Sequence, residues 1–344
     1  MTHELPTPRV PDPKHAPPLR WGVLGTGWIA GKFTTALHGH TTQRMVAAAS
    51  REETRAAAFA HEHGIERSFG SYQALVEDPE VDVVYIATPH PMHLRDATLA
   101  LEAGKHVLVE KPFALDGTEA RRLAEAAKAS DAFCMEAMWT FFLPKYDVVR
   151  QVVQSGLLGE VKTAILDHGE WFDESHRIMW PDLAGGSLLD LGTYTFVVAD
   201  DLLGPGRVVG AAGDMTTTGV EGQVSGIVLH ESGAQSLHHS TILTDTPIRA
   251  VIAGTVAVLE MEPPFFMPGA LRVRFHDGRP ELTYDEPRLG HEALFYSAVE
   301  AARRIAADET ESPLRPLEAS VRALDLLDQV RTVAGLTPPR ALDD

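Results

Sequence analysis

From Leu19 onward, short apolar runs alternate with longer amphipathic stretches, the rhythm of βαβ units that build a parallel sheet. Leu19–Leu24 reads as a buried strand leading into the glycine turn Gly25-Thr26-Gly27-Trp28-Ile29-Ala30. A helix follows through about Leu37, then a strand at Arg44–Ala49 and an Ala-rich helix over Glu53–His63 that stops at Gly64. Ser71–Glu77 predicts a short helix ending before Asp78-Pro79. Val81–Ala87 and His106–Val109 are β-branched runs of strand length, and the helix Met92–Ala103 lies between them with Gly104 as its stop. Gly117–Ser130 is a further amphipathic helix and Ala132–Glu136 a strand.

After Trp139 the texture changes. Val161–Trp171, Arg207–Met215, Val224–His230, Gln235–Thr244, Ile248–Glu260, Leu271–Phe275 and Glu281–Tyr284 are strand candidates, several joined by tight turns such as Glu231-Ser232-Gly233 and His276-Asp277-Gly278. Consecutive strands with short links predict an antiparallel or mixed sheet. One helix, Ser187–Leu203, interrupts this run, and two more, Glu292–Ala307 and Leu317–Val333, close the chain. The pattern predicts an α/β chain of two domains: a doubly wound parallel sheet over residues 19–140, then an α+β domain with a large, mostly antiparallel open sheet over 141–338.

A length of 344 residues suits two cores. The apolar fraction of 44% and charged fraction of 23% are those of an ordinary globular protein. Thirty basic against forty-eight acidic residues give a formal net charge of −18, which opposes binding to nucleic acid or an anionic membrane. No apolar stretch is long enough to span a bilayer. Residues 1–18, rich in proline and without a hydrophobic run, read as a mobile tail rather than a secretory signal. Cys134 is the only cysteine, which excludes an intrachain disulfide and a Cys-rich metal site and fits a reducing cytoplasm. Its setting, Phe133-Cys134-Met135, is that of a small buried hydrophobe.

The glycine turn carries the first chemistry. A pyrophosphate needs backbone amides at close range, and a helix N-terminus supplies them with a favourable dipole. Gly25 permits the tight turn, Gly27 lets the backbone approach, and the small Ala30 lets helix meet strand. Thr26, Trp28 and Ile29 complete the loop. The strand before it and the helix after it raise this motif above a chance turn. At the end of the second strand an NAD site would place an acid; Ser50 and Arg51 stand there instead, and a guanidinium suits a 2′-phosphate. The cofactor is therefore expected to be NADP, with NAD as the alternative because Glu52 and Glu53 follow at once.

Gly104-Lys105-His106-Val107-Leu108-Val109-Glu110-Lys111-Pro112, taken with the glycine turn, resembles the glucose–fructose oxidoreductase / inositol dehydrogenase / MocA family of NAD(P)-dependent enzymes. Met135-Glu136-Ala137-Met138-Trp139-Thr140, Phe142-Leu143-Pro144, Gly185 to Tyr194 and the stretch Glu311–Leu317 resemble its dimeric dihydrodiol dehydrogenase branch. The resemblance covers about residues 19–335. It implies a Rossmann domain followed by an α+β domain whose open sheet face forms a homodimer interface. It also implies reversible oxidation of a secondary alcohol on a sugar, polyol or cyclic diol. Some relatives instead cleave glycosides with a tightly held NAD, and a few proteins of this fold are sensors without catalysis.

Lys111 lies just past the carboxyl end of a parallel strand, where ligands bind in open α/β sheets. Asp190 and Tyr194 are four apart on a predicted helix and so share a face. The resemblance implies that these two meet the lysine beside the nicotinamide. Asp190 would hold Lys111 charged, and a phenol beside that cation is expected to have a lowered pKa, so that Lys111 or Tyr194 moves the substrate proton. Glu110 is expected to brace the loop or touch cofactor. Thr88, His90 and His93, in the loop after the fourth strand, resemble positions near the nicotinamide or substrate. Trp139 and Phe172 are candidates for an apolar wall against a substrate ring. His238 and His239 are adjacent in a strand and point to opposite faces, so with His168 and Glu170 they predict no metal site.

Overall fold

The computed structural model describes residues 4–339. The first apolar runs form β1 (Arg20–Leu24), β2 (Arg44–Ala49), β3 (Arg67–Phe69), β4 (Val83–Ile86), β5 (His106–Val109) and β6 (Cys134–Glu136). Between them run α1 (Trp28–His40), α2 (Glu53–His63), α3 (Tyr72–Val76), α4 (His93–Glu102) and α5 (Gly117–Ser130). The strands lie in one parallel sheet in the order β3-β2-β1-β4-β5-β6. The order reverses direction between β1 and β4, and the crevice beyond their carboxyl ends is the place where such sheets bind ligands. β3 was not expected: it spans three half-buried residues and carries no apolar run.

The second sheet has eight strands: β7 (Val161–Gly169), β8 (Gly206–Met215), β9 (Glu221–His230), β10 (Gln235–Thr241), β11 (Ala250–Gly254), β12 (Ala257–Met261), β13 (Leu271–Phe275) and β14 (Leu282–Tyr284). Their order is β14-β13-β12-β11-β7-β10-β9-β8, with every pair antiparallel except β7 with β10. The single strand expected over Ile248–Glu260 is thus two, β11 and β12, because the chain reverses at Thr255-Val256. A helix, α6 (Pro144–Gln154), went unread, since its valines look like strand material. Yet Val148, Val149 and Val152 lie on one buried helical face behind a proline in the first turn. The helix expected over Ser187–Leu203 is a π-helical turn, Leu188–Gly192, running into α7 (Thr193–Leu203). α8 (Phe295–Ile305) packs on α1, while α9 (Leu317–Ala334) packs on α5, α7 and β8. On the other face, Ile227, Leu237 and Ile165 line up across three strands and stay 41%, 40% and 50% exposed.

Residues 4–18 do not behave as the mobile tail expected. Arg9 pairs with Asp147 at 2.6 Å and Gln151 donates to the Thr7 carbonyl, which lays the segment on α6. Ala16 is buried, and Gln43 beside β2 donates to the Pro17 carbonyl. Proline-rich chain loses little entropy on docking, so a few contacts fix it. Residues 1–3 lie outside the described residues.

A buried ion pair joins the two halves. Glu136, at the end of β6, accepts from Arg315 at 2.8 Å, from Ser320 at 2.7 Å and from the Phe113 amide at 3.1 Å. Both charged side chains are about 97% buried or more. Removing one partner leaves the other charge uncompensated in an apolar setting. Arg315→Ala is therefore expected to lower the stability by about 3–5 kcal/mol, read as a shifted urea midpoint. A loss below about 1 kcal/mol, the size of an exposed pair, would show that water reaches Glu136.

Candidate active site

A cavity of about 850 Å³ opens at the carboxyl ends of β1, β4 and β5 and is roofed by the second sheet. The turn after β1 forms its floor. Gly25 holds φ 97°, and a Cβ there would lie 2.6 Å from the Ala87 carbonyl oxygen. At Gly27, the N-cap of α1, an added Cβ would meet nothing within 4 Å. The space beside Gly27 is open and no side chain caps the helix, which leaves the first amides of α1 as a ready anion site. Thr26 and Ile29 line the floor and Trp28, 63% exposed, stands at its rim. Nearby, the Thr88 hydroxyl and the His90 Nδ1 are buried and have no partner among the described residues. A bare cradle beside orphaned polar atoms fits a dinucleotide.

At the far end, Ser50 is buried and Arg51 is exposed. Arg55, in the first turn of α2, and Arg51, just before its N-cap Glu52, both line the cavity. Glu52 lines it too but pairs with Arg55 at 3.3 Å, while Glu53 is not part of the lining. The local sign left open by the sequence is thus positive on balance. Arg55 was missed, because Arg51 lies outside the helix and no helical spacing links the two.

The reacting end is built by residues from both domains. Lys111, just past β5, donates to Asp190 Oδ1 at 2.8 Å and to the Asp190 carbonyl at 2.9 Å. Its ammonium lies 5.1 Å from the Tyr194 ring centre. The π turn serves this contact, since such a widened turn turns a backbone carbonyl out of the helical ladder. Arg177, from the loop before Gly185, reaches Asp190 Oδ2 at 3.1 Å. Burial alone would raise Asp190, but the two cations hold it well below the usual carboxylate range. Burial pulls Lys111 down, yet Asp190 and Tyr194 outweigh it and leave it above the ordinary lysine value. Tyr194 corrects an expectation. Burial raises its phenol more than Lys111 lowers it, so the net shift is upward.

Tyr194 is held in place from three sides. Trp139 Nε1 donates to its hydroxyl at 3.1 Å, Phe266 stacks on its ring at 4.5 Å, and the His168 ring lies 5.5 Å away. Trp139 and the half-buried Phe172 both line the cavity, Phe172 stacked on His176 at 4.5 Å. Glu110 accepts from the Tyr85 hydroxyl and from the Lys111 amide at 3.1 Å, which braces the loop. Its burial pushes the carboxyl up to about 7 against those bonds. His90 is pulled down to about 3 by burial and is neutral. His93 sits deeper: its two ring nitrogens lie 2.8 Å from the Pro112 carbonyl and 3.0 Å from the Thr88 carbonyl. It ties the loop after β5 to the loop after β4.

Arg177, Phe266 and His291 also line the cavity and carry no sequence signal, since Arg177 and His291 sit in single 3-10 turns and Phe266 in a loop, all brought in by the second domain. His238 stacks on Phe196 at 3.9 Å inside the core, whereas His239 bonds to Ser225 on the other face. Among the described residues no three or more His, Cys, Asp or Glu side chains are grouped to hold a metal ion. None of the described helices is long and apolar enough to cross a membrane.

Comparison with known proteins agrees with this geometry. Residues 19–138 match an oxidoreductase family with an NAD-binding Rossmann fold, and residues 146–260 match the GFO/IDH/MocA C-terminal domain. The trans-1,2-dihydrobenzene-1,2-diol dehydrogenase of Mus musculus is 33% identical over 331 residues, 94% of this chain and 98% of that protein. Its Homo sapiens counterpart is 31% identical over 329 residues, with the same 94% and 98% coverage. KijD10, a 3-ketoreductase from Actinomadura kijaniata solved with NADP and TDP-benzene, superposes with a TM-score of 0.81 at 26% identity, covering 92% of this chain and 98% of that one.

Proposed function

This chain belongs to the GFO/IDH/MocA family of NAD(P)-binding oxidoreductases, and we propose that within it the chain interconverts a secondary alcohol and a carbonyl on a sugar, polyol or trans-dihydrodiol, with NADP as its preferred cofactor. The observation that carries this reading is the Lys111–Asp190–Tyr194 cluster facing the cavity that the glycine turn floors. The names of the relatives, dihydrodiol dehydrogenases and a 3-ketoreductase, support the same chemistry.

Gly25, Thr26, Gly27, Trp28 and Ile29 would hold the pyrophosphate through α1, and Ser50, Arg51 and Arg55 would take a 2′-phosphate. Thr88, His90 and Glu110 would line the nicotinamide end, with His93 holding their loops. When bound, the dinucleotide supplies the two-electron acceptor or donor. The relative solved with NADP supports the choice of cofactor. NADPH is expected to bind at least tenfold tighter than NADH in a fluorescence titration, and Arg51→Ala with Arg55→Ala is expected to abolish that difference. Tighter NADH binding by the unaltered protein would overturn the preference.

The protein's own residues handle the proton. Lys111 and Tyr194 both lie above their ordinary values, so near neutrality each keeps its proton. Ammonium and phenol are then poised to donate to a carbonyl oxygen, while accepting an alcohol proton first requires that one be deprotonated. Reduction uses the acid form and persists as pH falls; oxidation uses the base form and gains as pH rises. Oxidation kcat/KM is expected to climb about tenfold per pH unit from neutrality upward, with reduction level over the same range. Tyr194→Phe is expected to lower turnover by about 10²–10⁴-fold with NADPH binding intact. An unchanged rate would remove Tyr194 from the mechanism.

The apolar row Ile227–Leu237–Ile165 supports a homodimer through the open face of the second sheet. Sedimentation is expected to give twice the chain mass, and Leu237→Glu with Ile165→Glu to give the monomer. A monomeric unaltered protein would contradict this.

A further inference from the structure

The catalytic cluster does not use one charged group in the cavity. Glu170, directly after β7, lines the cavity wall contributed by the second sheet, with its side chain 41% exposed. Its Oε1 lies 2.8 Å from His168 Nε2, and its Oε2 has no partner among the described residues. His168 is 1% exposed and its Nδ1 is buried without a partner. The carboxylate can only accept, so His168 donates from Nε2 to Glu170. The imidazole is itself fixed, stacked on Phe266 at 4.7 Å and lying 5.5 Å from the Tyr194 ring. One rigid ring thus indexes both the phenol that faces the reacting oxygen and a carboxylate with a free acceptor.

We infer that Glu170 is a specificity-determining residue that accepts a hydrogen bond from a second substrate hydroxyl, next to the carbon being oxidised or reduced, with His168 as its positioning residue. This rests on the proposed alcohol–carbonyl reaction and assigns one residue within it: Glu170 reads the neighbouring hydroxyl that sugars, polyols and dihydrodiols share, so that a lone secondary alcohol is a poor substrate. The chemistry of the wall selects a hydroxyl. An acceptor-only carboxylate needs a donor, and an anionic substituent would face Glu170 and Asp190 together. An ammonium would share the cavity with Lys111 and Arg177. An apolar substituent would cover Oε2 without giving it a donor. Burial alone would raise Glu170, but the bond from His168 outweighs it and keeps the group below the usual glutamate range, so it is ionised at neutral pH.

Three probes separate the possibilities: cyclohexanol, trans-cyclohexane-1,2-diol and myo-inositol, each tested with the NADP-loaded protein by turnover and by calorimetric binding. For the unaltered protein, the diol or the inositol is expected to exceed cyclohexanol by at least tenfold in kcat/KM or in affinity. Glu170→Leu is expected to cut the better hydroxylated probe by roughly tenfold to hundredfold, the worth of a hydrogen bond to a charged group. Cyclohexanol is expected to change less than about twofold, and NADPH binding to stay the same. Glu170→Gln, which keeps the shape and one acceptor oxygen, is expected to lose in the same direction by less, and it guards against misfolding of the leucine variant. Equal losses on cyclohexanol and diol, no loss on either, or an unaltered protein that prefers cyclohexanol would each overturn the assignment. Binding of a diol or polyol that is lost in Glu170→Leu, without any turnover, would overturn the proposed reaction and leave the assignment standing. A protein that binds none of the probes would overturn the assignment.

Discussion

Everything at the reacting end depends on one ion pair between residues that lie 79 apart in the chain, Lys111 and Asp190. An ammonium enclosed at this depth loses its water, at a cost of several kcal/mol, and would shed its proton without a counter-charge. Asp190 supplies that charge through one carboxylate oxygen, and its backbone carbonyl supplies a second acceptor. The lysine comes from the end of a parallel strand and the aspartate from a π-helical turn in the other domain. The cleft is therefore complete only when the domains hold their relative placement.

That placement is enforced by charges of the same kind away from the cleft. Glu136 at the end of β6 meets Arg315, and Arg331 meets Glu221 of β9 at 2.7 Å, which fixes α9, the helix that packs on α5, to the second sheet; all four side chains are buried. Buried pairs contribute little net stability compared with apolar packing, but each is costly to separate, so they favour one arrangement over its neighbours. The docked N-terminal segment adds a strap from α6 across to β2. Inside the cavity, His93 does for two loops what these pairs do for the domains.

The charge pattern in the cavity follows from enclosure. Lys111 stays protonated because Asp190 is near, Tyr194 stays protonated because burial exceeds the pull of the lysine, and Glu110 rises to about 7 because its two bonds only partly offset its burial. Arg177 on the second oxygen of Asp190 keeps that carboxylate charged while competing for it with Lys111. The balance differs from what a lone phenol beside a lysine would suggest, and the difference is desolvation.

Local patterns carried the sheets and the cofactor turn. Period, β-branching and glycine stops are properties of adjacent residues, so β1, β2, α2, β5 and α5 were legible almost to the residue; Gly25, Gly27 and Lys111 stood out by position, and Asp190 and Tyr194 through the family resemblance. Valine-rich α6 was not legible, because its periodicity competes with a strand composition and only packing decides between them. The π turn, the docking of residues 4–18, the arrival of Phe266 and His168 beside Tyr194, and that of Arg177 beside Asp190 were decided by tertiary structure. The sequence by itself determined which groups were available and on which elements they sat. The tertiary structure decided which of them meet and which stay charged, because distance and loss of water are set by chain segments far apart in the sequence.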